Sequence, residues 1–259
     1  MNHIFKICAA LLFLIQLNMP AAALTLRTAS QTGAEPKFIL MKDGKAKGLE
    51  IDIIKAVQKE DPGIRFTGLE NFMPFKRIKL EMEKGKLDCF FGFSFTRERA
   101  EKFLFINPPL YMIEYKLVMR ADDPFEPESF DDISALGKDG VILTLFGTAG
   151  TDILKEQGVP IIDDMGKTVP ALLKKLELRR GRFVFYQSFS TIYAINQLGA
   201  GNRFRLTKKN FSSQGHYVAF PRATTSLDVV NRVKRALNKV RASGELNQIV
   251  TKYTTIRQD

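Results

Sequence analysis

Short apolar runs alternate with longer amphipathic stretches along most of this chain. Runs of four to eight mostly apolar residues, bounded by Gly, Pro or charged residues, indicate buried strands. We predict strands at 24–29, 64–68, 88–93, 112–119, 140–146, 183–186 and 217–220. Apolar residues that recur every three or four positions predict helices between them. These helices are expected at 51–59, 74–84, 151–156, 169–176, 189–198, 229–240 and 246–253.

This order of elements is typical of α/β proteins, in which strands and helices alternate along the chain. A chain of 259 residues can form one large domain or two lobes. The pattern by itself leaves both possibilities open, because lobes of roughly 100 residues already bury a core of their own.

The first 23 residues have the pattern of a secretory signal peptide. Lys6 precedes the apolar run 7–17, and the small residues at 20–23 predict cleavage after Ala23. The apolar run is shorter than the roughly 20 residues that a membrane-spanning helix needs. An uncleaved anchor helix is the alternative. We expect an exported, soluble mature chain.

The composition argues against several classes of function. The formal charge is +11, from 39 Lys and Arg against 28 Asp and Glu, but the basic residues are interleaved with acids and apolar residues. Such scattering does not favour nucleic-acid binding. Beyond the signal peptide, Cys89 and His216 are the only residues of their types. We therefore predict a buried core thiol at Cys89 and expect no metal, no cofactor and no Ser-His-Asp or Cys-His catalysis.

The most informative segment is GKLDCFFGFSFTRER, residues 85–99. A Phe-rich strand runs between a Gly-Lys turn and a polar exit that contains Arg99. An arginine just beyond a buried strand lies at the edge of the sheet, where open α/β sheets bind their ligands. The planar guanidinium suits a carboxylate, because it donates two parallel hydrogen bonds. The alternative is a surface arginine that pairs with Glu98 or Glu101.

This segment resembles the ligand-binding segment of family 3 periplasmic solute-binding proteins, the amino-acid-binding partners of ABC importers. The resemblance extends along the chain in the family's order. It includes GLEID at 48–52, FLFINPPLY at 103–111, Gly-Thr at 147–148, and the closing pair of helices over 235–253.

The resemblance implies an α/β, two-lobed, type II periplasmic-binding fold with two hinge crossings and a ligand cleft between the lobes. Residues 24–117 and 216–259 would form lobe 1, and residues 118–215 would form lobe 2. The family also implies a periplasmic monomer that works with an ABC permease in the inner membrane. Lobe closure would trap the solute, because the solute contacts both lobes.

The resemblance also implies the ligand contacts of the first lobe and of the Gly-Thr turn. Arg99 would hold the solute's carboxylate, together with the Ser94 hydroxyl and a backbone N–H at Gly92. Thr148 and the backbone N–H of Ala149 would complete the anion site from the second lobe, at the N-terminus of a helix. The alternative is an ordinary Gly-containing turn before the helix.

Gln187 stands where amino-acid binders of this family usually place an acid for the ligand's ammonium. A neutral amide binds an ammonium less strongly than a carboxylate does. The solute is therefore an amine-free or modified acid, or its amine is held elsewhere, for instance by Glu35. Phe72, Phe75 and Tyr111 would form the apolar wall of the site; core packing explains any single one of them equally well.

Three functions follow from this reading. The first is a non-enzymatic binding protein that captures a small carboxylate-bearing solute, an amino acid or a relative, for an importer. The second is a dehydratase-type enzyme on the same scaffold, which would need a carboxyl general acid in the cleft. The third is a ligand-sensing module that reports to a membrane receptor. The sequence favours the first.

Overall fold

A computed structural model of the protein describes residues 23–145, 148–160 and 162–256. The predicted signal peptide, 1–23, lies outside these residues except for Ala23, and so does Gly147 of the predicted Gly-Thr turn. The α-helices in the described residues are α1 (Leu49–Glu60), α2 (Phe75–Glu83), α3 (Arg97–Lys102), α4 (Phe130–Ser134), α5 (Ala149–Glu156), α6 (Val169–Glu177), α7 (Ser188–Gln197), α8 (Leu227–Ala242) and α9 (Glu245–Thr254).

The strands alternate with these helices, as the sequence predicts. They are β1 (Leu24–Arg27), β2 (Ser30–Gln31), β3 (Ile39–Leu40), β4 (Ala46–Lys47), β5 (Ile64–Thr67), β6 (Phe72–Met73), β7 (Phe90–Ser94), β8 (Phe103–Phe105), β9 (Tyr111–Arg120), β10 (Ile142–Leu145), β11 (Ile162–Gly166), β12 (Phe183–Gln187), β13 (Phe204–Leu206) and β14 (Ser212–Pro221).

A mixed sheet with the order β11-β10-β12-β9-β14-β7 runs through the protein. Its first three strands are parallel, whereas β9 and β14 are long antiparallel neighbours at its centre. The carboxyl ends of the parallel strands therefore lie at one edge, which is where α/β sheets bind ligands.

The two faces of β7 belong to different parts of the core. Phe91 packs in the cluster that contains α1, α8 and α9 residues, whereas Phe90 and Phe93 pack with Phe38 and α2 residues. Cys89 is a buried free thiol, and burial raises its pKa. The prediction of a packed core cysteine is confirmed.

None of the helices in the described part of the chain is both long and apolar enough to cross a membrane.

Candidate functional site

Arg99 lies in the first turn of α3, at the edge of the sheet. The hydroxyl of Thr96 caps this helix by accepting a hydrogen bond from the Arg99 backbone N–H at 3.1 Å. The Arg99 Nη1 donates to the Ser94 carbonyl at 2.8 Å and to the Ser94 hydroxyl. These bonds leave Nε and Nη2, the side of the guanidinium that makes paired hydrogen bonds, without a protein partner among the described residues.

Two phenylalanine rings support the same guanidinium. Its Cζ lies 5.1 Å from the ring centre of Phe75 and 5.2 Å from that of Phe93, within cation–π distance. Arg99 is half-buried, and burial lowers its pKa. Phe72 is also half-buried, on β6, where it pairs with Ser30. Phe75 is thus the member of the predicted aromatic wall that contacts Arg99.

A β-bulge at Gly92 sets the direction of Ser94. The register of β7 against β14 shifts between Phe91 and Phe93, which leaves Gly92 without a partner. Gly92 has a φ of 79°, in the region that glycine adopts without strain. A Cβ at this position would lie 2.3 Å from the Glu50 Oε1. The bulge therefore depends on glycine, and it returns Ser94 to the face that carries Phe91.

Three side chains form a row on that face. His216 on β14 is paired with Ser94 on β7 and with Tyr111 on β9. Because directly opposed residues in antiparallel strands share a face, their side chains are neighbours. The Tyr111 ring stacks on Phe189, with ring centres 5.2 Å apart, and is tilted by 33° to the His216 ring, with ring centres 5.5 Å apart. The predicted site residue Tyr111 is thus a buried member of the row.

Glu50, from the first turn of α1, covers this row. Its Oε1 accepts a hydrogen bond from the Tyr111 hydroxyl, while its Oε2 and the His216 Nδ1 are buried without a hydrogen-bond partner among the described residues. Lys37 is 92% buried next to Glu50, since it is 8% exposed. We call Lys37, Glu50, Tyr111 and His216 the floor cluster.

Burial sets the charge state of the floor cluster. It raises the pKa of Glu50 to about 7, although the Tyr111 hydrogen bond and the Lys37 charge oppose the shift. Burial also lowers the pKa of Lys37, against the attraction of Glu50. The pKa of His216 lies well below its usual range because of burial and of the positive charges of Lys37 and Arg99. The imidazole is therefore neutral at pH 7.

The second side of the site comes from the carboxyl ends of the parallel strands. Thr148, directly before α5, donates its hydroxyl proton to the Leu145 carbonyl at 2.9 Å, and Thr151 donates to the same carbonyl at 2.7 Å. Ala149 is the first residue of α5. The first N–H groups of α5 retain the capacity to bind an anion, whereas the Thr148 hydroxyl, whose one proton goes to Leu145, is left as an acceptor.

Gln187 ends β12 and precedes α7. Its Nε2 donates to the Tyr115 hydroxyl at 3.0 Å, which leaves its Oε1 as a free acceptor among the described residues. The predicted site residue Gln187 therefore has one acceptor oxygen to offer to a solute.

A cavity of about 500 Å³ opens at these strand ends. Its lining includes Leu145, Thr168, Tyr186 and Tyr193 from the strand ends and α7, and Glu35 from the loop after β2. The Ser190 hydroxyl bridges the two sides by donating to the Glu35 carbonyl at 2.9 Å. We call this space the cleft cavity.

A model of the bacterial extracellular solute-binding proteins, family 3, matches residues 26–256 of this chain. The chain belongs to that family. The resemblance stated from residues 85–99 and the accompanying motifs is confirmed.

Individual relatives agree with this assignment. A probable histidine-binding protein from Neisseria gonorrhoeae is 25% identical over 231 residues, which are 88% of this chain and 82% of the relative. The probable amino-acid ABC transporter extracellular-binding protein YtmK from Bacillus subtilis superposes with a TM-score of 0.75 at 18% identity, covering 89% of this chain and 97% of its own.

The ancestral amino-acid-binding protein AncCDT-1, a precursor of cyclohexadienyl dehydratase, superposes with a TM-score of 0.66 at 20% identity, over 89% of this chain and 95% of that one. At these identities the solved structures show the fold alone. That fold is the predicted α/β type II periplasmic-binding fold, and it is confirmed.

In this family member, the structure brings some predicted site residues together and keeps others apart. One group of spatial neighbours comprises Arg99, Ser94, Gly92 and Phe75. Thr148, Ala149 and Gln187 belong to the separate strand ends described above.

Sequence reasoning missed three members of the floor cluster as site residues, namely Lys37, Glu50 and His216. A signal for Glu50 was available in the residue spacing of α1. One face of this helix is buried, and it carries Glu50, Ile53, Ile54 and Val57. An acid on an apolar stripe indicates a buried carboxyl group. No comparable local pattern marks Lys37 or His216, whose positions depend on a loop and on strand register.

Proposed function

We propose that the protein is exported to the periplasm through residues 1–23, captures a small carboxylate-bearing solute, an amino acid or a related acid, and delivers it as a monomer to an ABC permease in the inner membrane. The observation that carries the proposal is the Arg99 guanidinium. It is half-buried, fixed by Ser94 on one side, and has the Nε–Nη2 edge available for two parallel bonds to a carboxylate.

Capture by lobe closure is part of the proposal. Residues 24–117 and 216–259 would form one lobe and 118–215 the other, with β9 and β14 as the connections. The hydrogen bond from Ser190 to Glu35 and the stacking of Phe189 on Tyr111 would help to hold the closed form, because each joins the two sets of residues. A solute held by Arg99 and by the start of α5 would favour the closed form.

The remaining predicted contacts outline the proposed solute. Its carboxylate would bind Arg99, the Ser94 hydroxyl and the N–H groups at Gly92, Thr148 and Ala149, and its side chain would extend into the cleft cavity past Glu35. Gln187 would offer its free Oε1. The name of the histidine-binding relative supports an amino acid or a close analogue as the solute.

The test is calorimetric titration of the mature chain, after a thermal-shift screen of the amino acids, dicarboxylates and prephenate-like acids. A ligand at 100 times its Kd adds about 2.7 kcal/mol of stability, which shifts the Tm by a few degrees at this size. Arg99→Ala is expected to weaken binding by about 2–5 kcal/mol, because it leaves a carboxylate unpaired in a closed cleft.

Arg97→Ala is the matched control, because Arg97 starts the same helix but is exposed. It is expected to bind like the wild type. Equal affinity of the wild type and Arg99→Ala for every hit would reject Arg99 as the carboxylate site.

We propose binding rather than catalysis. A dehydratase would need a carboxyl acid that reaches the solute, and the Glu50 pKa of about 7 suits that role. However, its Oε1 is bonded to Tyr111 and its Oε2 is buried. Prephenate is therefore expected to remain unconverted on incubation with the protein, and conversion that Glu50→Gln abolishes would favour the enzyme.

A further inference from the structure

Lys37 is a mostly buried lysine whose ammonium group has no hydrogen-bond partner among the described residues and is not closed off from solvent. Lys37 is 8% exposed, and among the described residues its side chain forms no hydrogen bond and no ion pair. Its closest electrostatic partner is Glu50, whose Oε1 is already bonded to Tyr111. Lysines are rarely buried to this extent unless they are paired.

Strand register and a backbone hydrogen bond link this lysine to the candidate carboxylate site. Ser94, which holds Arg99, and Tyr111, which holds Glu50, flank His216 on its two neighbouring strands. Lys37 adjoins Glu50 through the backbone, since the Glu50 N–H donates to the Lys37 carbonyl at 3.1 Å. The charges of both Lys37 and Arg99 act on the His216 imidazole. The two cations thus lie near one histidine.

We propose that Lys37 is the second cationic contact of the solute, and that the group next to the solute's carboxylate is an oxygen acceptor, as in a 2-oxo or 2-hydroxy acid, rather than an ammonium. This inference rests on the proposed function, because it takes Arg99 as the carboxylate contact. A carboxylate and an adjacent oxygen offer acceptors to Arg99 and Lys37 together.

An α-amino acid fits this position less well. Its ammonium would meet a buried cation of the same sign, and like charges in a poorly solvated site repel strongly. Glu50 does not relieve this conflict, because its Oε1 is bonded to Tyr111 and its Oε2 is closed off from solvent. His216, which is neutral, adds no charge and can donate to the same oxygen.

The experiment compares pairs of acids that differ only at the α-substituent: L-leucine with 4-methyl-2-oxopentanoate, L-phenylalanine with phenylpyruvate, and L-glutamate with 2-oxoglutarate. Each is titrated calorimetrically into the mature wild type, Lys37→Met and Lys42→Met. Lys42 is the matched control, because it is an exposed lysine in the turn after β3.

In the wild type, the oxo acid of at least one pair is expected to bind at least tenfold more tightly than its amino acid. Lys37→Met is expected to remove at least tenfold of the oxo-acid affinity and to leave the amino acid unchanged or tighter, whereas Lys42→Met changes neither. Lys37→Met should also raise the Tm of the free protein, since it removes an unpaired buried charge.

The opposite preference in the wild type overturns the inference, and this comparison does not depend on any variant folding. An equal loss for both members of a pair in Lys37→Met overturns it too, as does the absence of binding by all three oxo acids. Amino-acid binding that needs Arg99 but not Lys37 would reject the inference and keep the proposed function. Binding that is indifferent to Arg99 would reject the proposed function itself.

Discussion

At the scale of single residues, Gly92 decides how the proposed carboxylate site is built. Gly92→Ala strains the backbone, and its new Cβ also meets the Glu50 Oε1. We expect this contact to lower the free energy of unfolding by about 1–3 kcal/mol beyond the effect of the strained φ. Gly44→Ala is the matched control, since Gly44 has a φ of 80° and open space around its Cβ position. Urea denaturation of both variants measures the difference. Equal losses would show that Glu50 gives way without penalty.

Glu50 makes the stability of the folded protein fall as the pH rises. Its pKa is about 7 in the folded state and near 4.5 when unfolded, so the folded state binds more protons between these values. Stability from this group is therefore lost as the pH rises from about 4.5 to 7.

Glu50→Gln retains an acceptor for Tyr111 and cannot ionise. Relative to the wild type, it is expected to gain stability as the pH rises from 4.5 to 7 and to change no further above that range. Urea denaturation at pH 4.5, 6 and 8 checks this trend. A difference that is constant over these three pH values would mean that folding does not shift the pKa of Glu50.

Single residues also show which contacts of the candidate site could be predicted from the sequence and which could not. The closeness of Arg99 to Ser94 was predictable, because one motif of fifteen residues contains both the buried strand and the polar segment that follows it. Lys37 and His216 are 179 positions apart in the sequence and become neighbours through pairing of β14 with β9 and through the loop before α1. No periodicity encodes such a contact, so only the fold shows it.

At the scale of elements, the short helix α3 holds the site residue Arg99 in place. Its cap is the Thr96 hydroxyl, which accepts from the Arg99 N–H at 3.1 Å. Thr96→Ala is expected to fray the helix, at about 1 kcal/mol, and to weaken solute binding by several fold because Arg99 loses its fixed direction.

Thr96→Ser is the paired variant, because serine keeps the capping oxygen. Calorimetry with the strongest hit of the screen should give wild-type affinity for Thr96→Ser and a lower affinity for Thr96→Ala. Identical affinities for the two variants would show that Ser94 and the phenylalanine rings suffice to orient Arg99.

Elements with strong periodicity were predicted to within a few residues, and the others were not. The helix expected at 51–59 is α1, Leu49–Glu60, since its apolar stripe is regular. The strand expected at 217–220 is instead Ser212–Pro221. Its first four residues are polar or glycine and carry no apolar pattern, and they become a strand because β9 pairs with them. The helix α3 was missed because its six residues contain only one apolar residue.

At the scale of the whole molecule, α7 of the proposed second lobe contacts the proposed first lobe at both of its ends. At its start, Phe189 stacks on Tyr111 and the Ser190 hydroxyl donates to the Glu35 carbonyl. At its end, the Asn196 Nδ2 donates to the Thr255 carbonyl at 2.8 Å. A change of the angle between the proposed lobes must break or shift these contacts, so α7 is where closure can be tested.

Phe189→Leu tests this dependence without any ligand. Loss of the stacked ring is expected to shift the free protein towards an open form, with a larger radius of gyration in small-angle X-ray scattering. Phe204→Leu is the matched control, because Phe204 is a buried ring that packs only with residues of the proposed second lobe, apart from the C-terminal Ile256. It should lower stability and leave the radius unchanged. The same radius for Phe189→Leu and the wild type would mean that the stacking of Phe189 on Tyr111 does not set the angle between the proposed lobes.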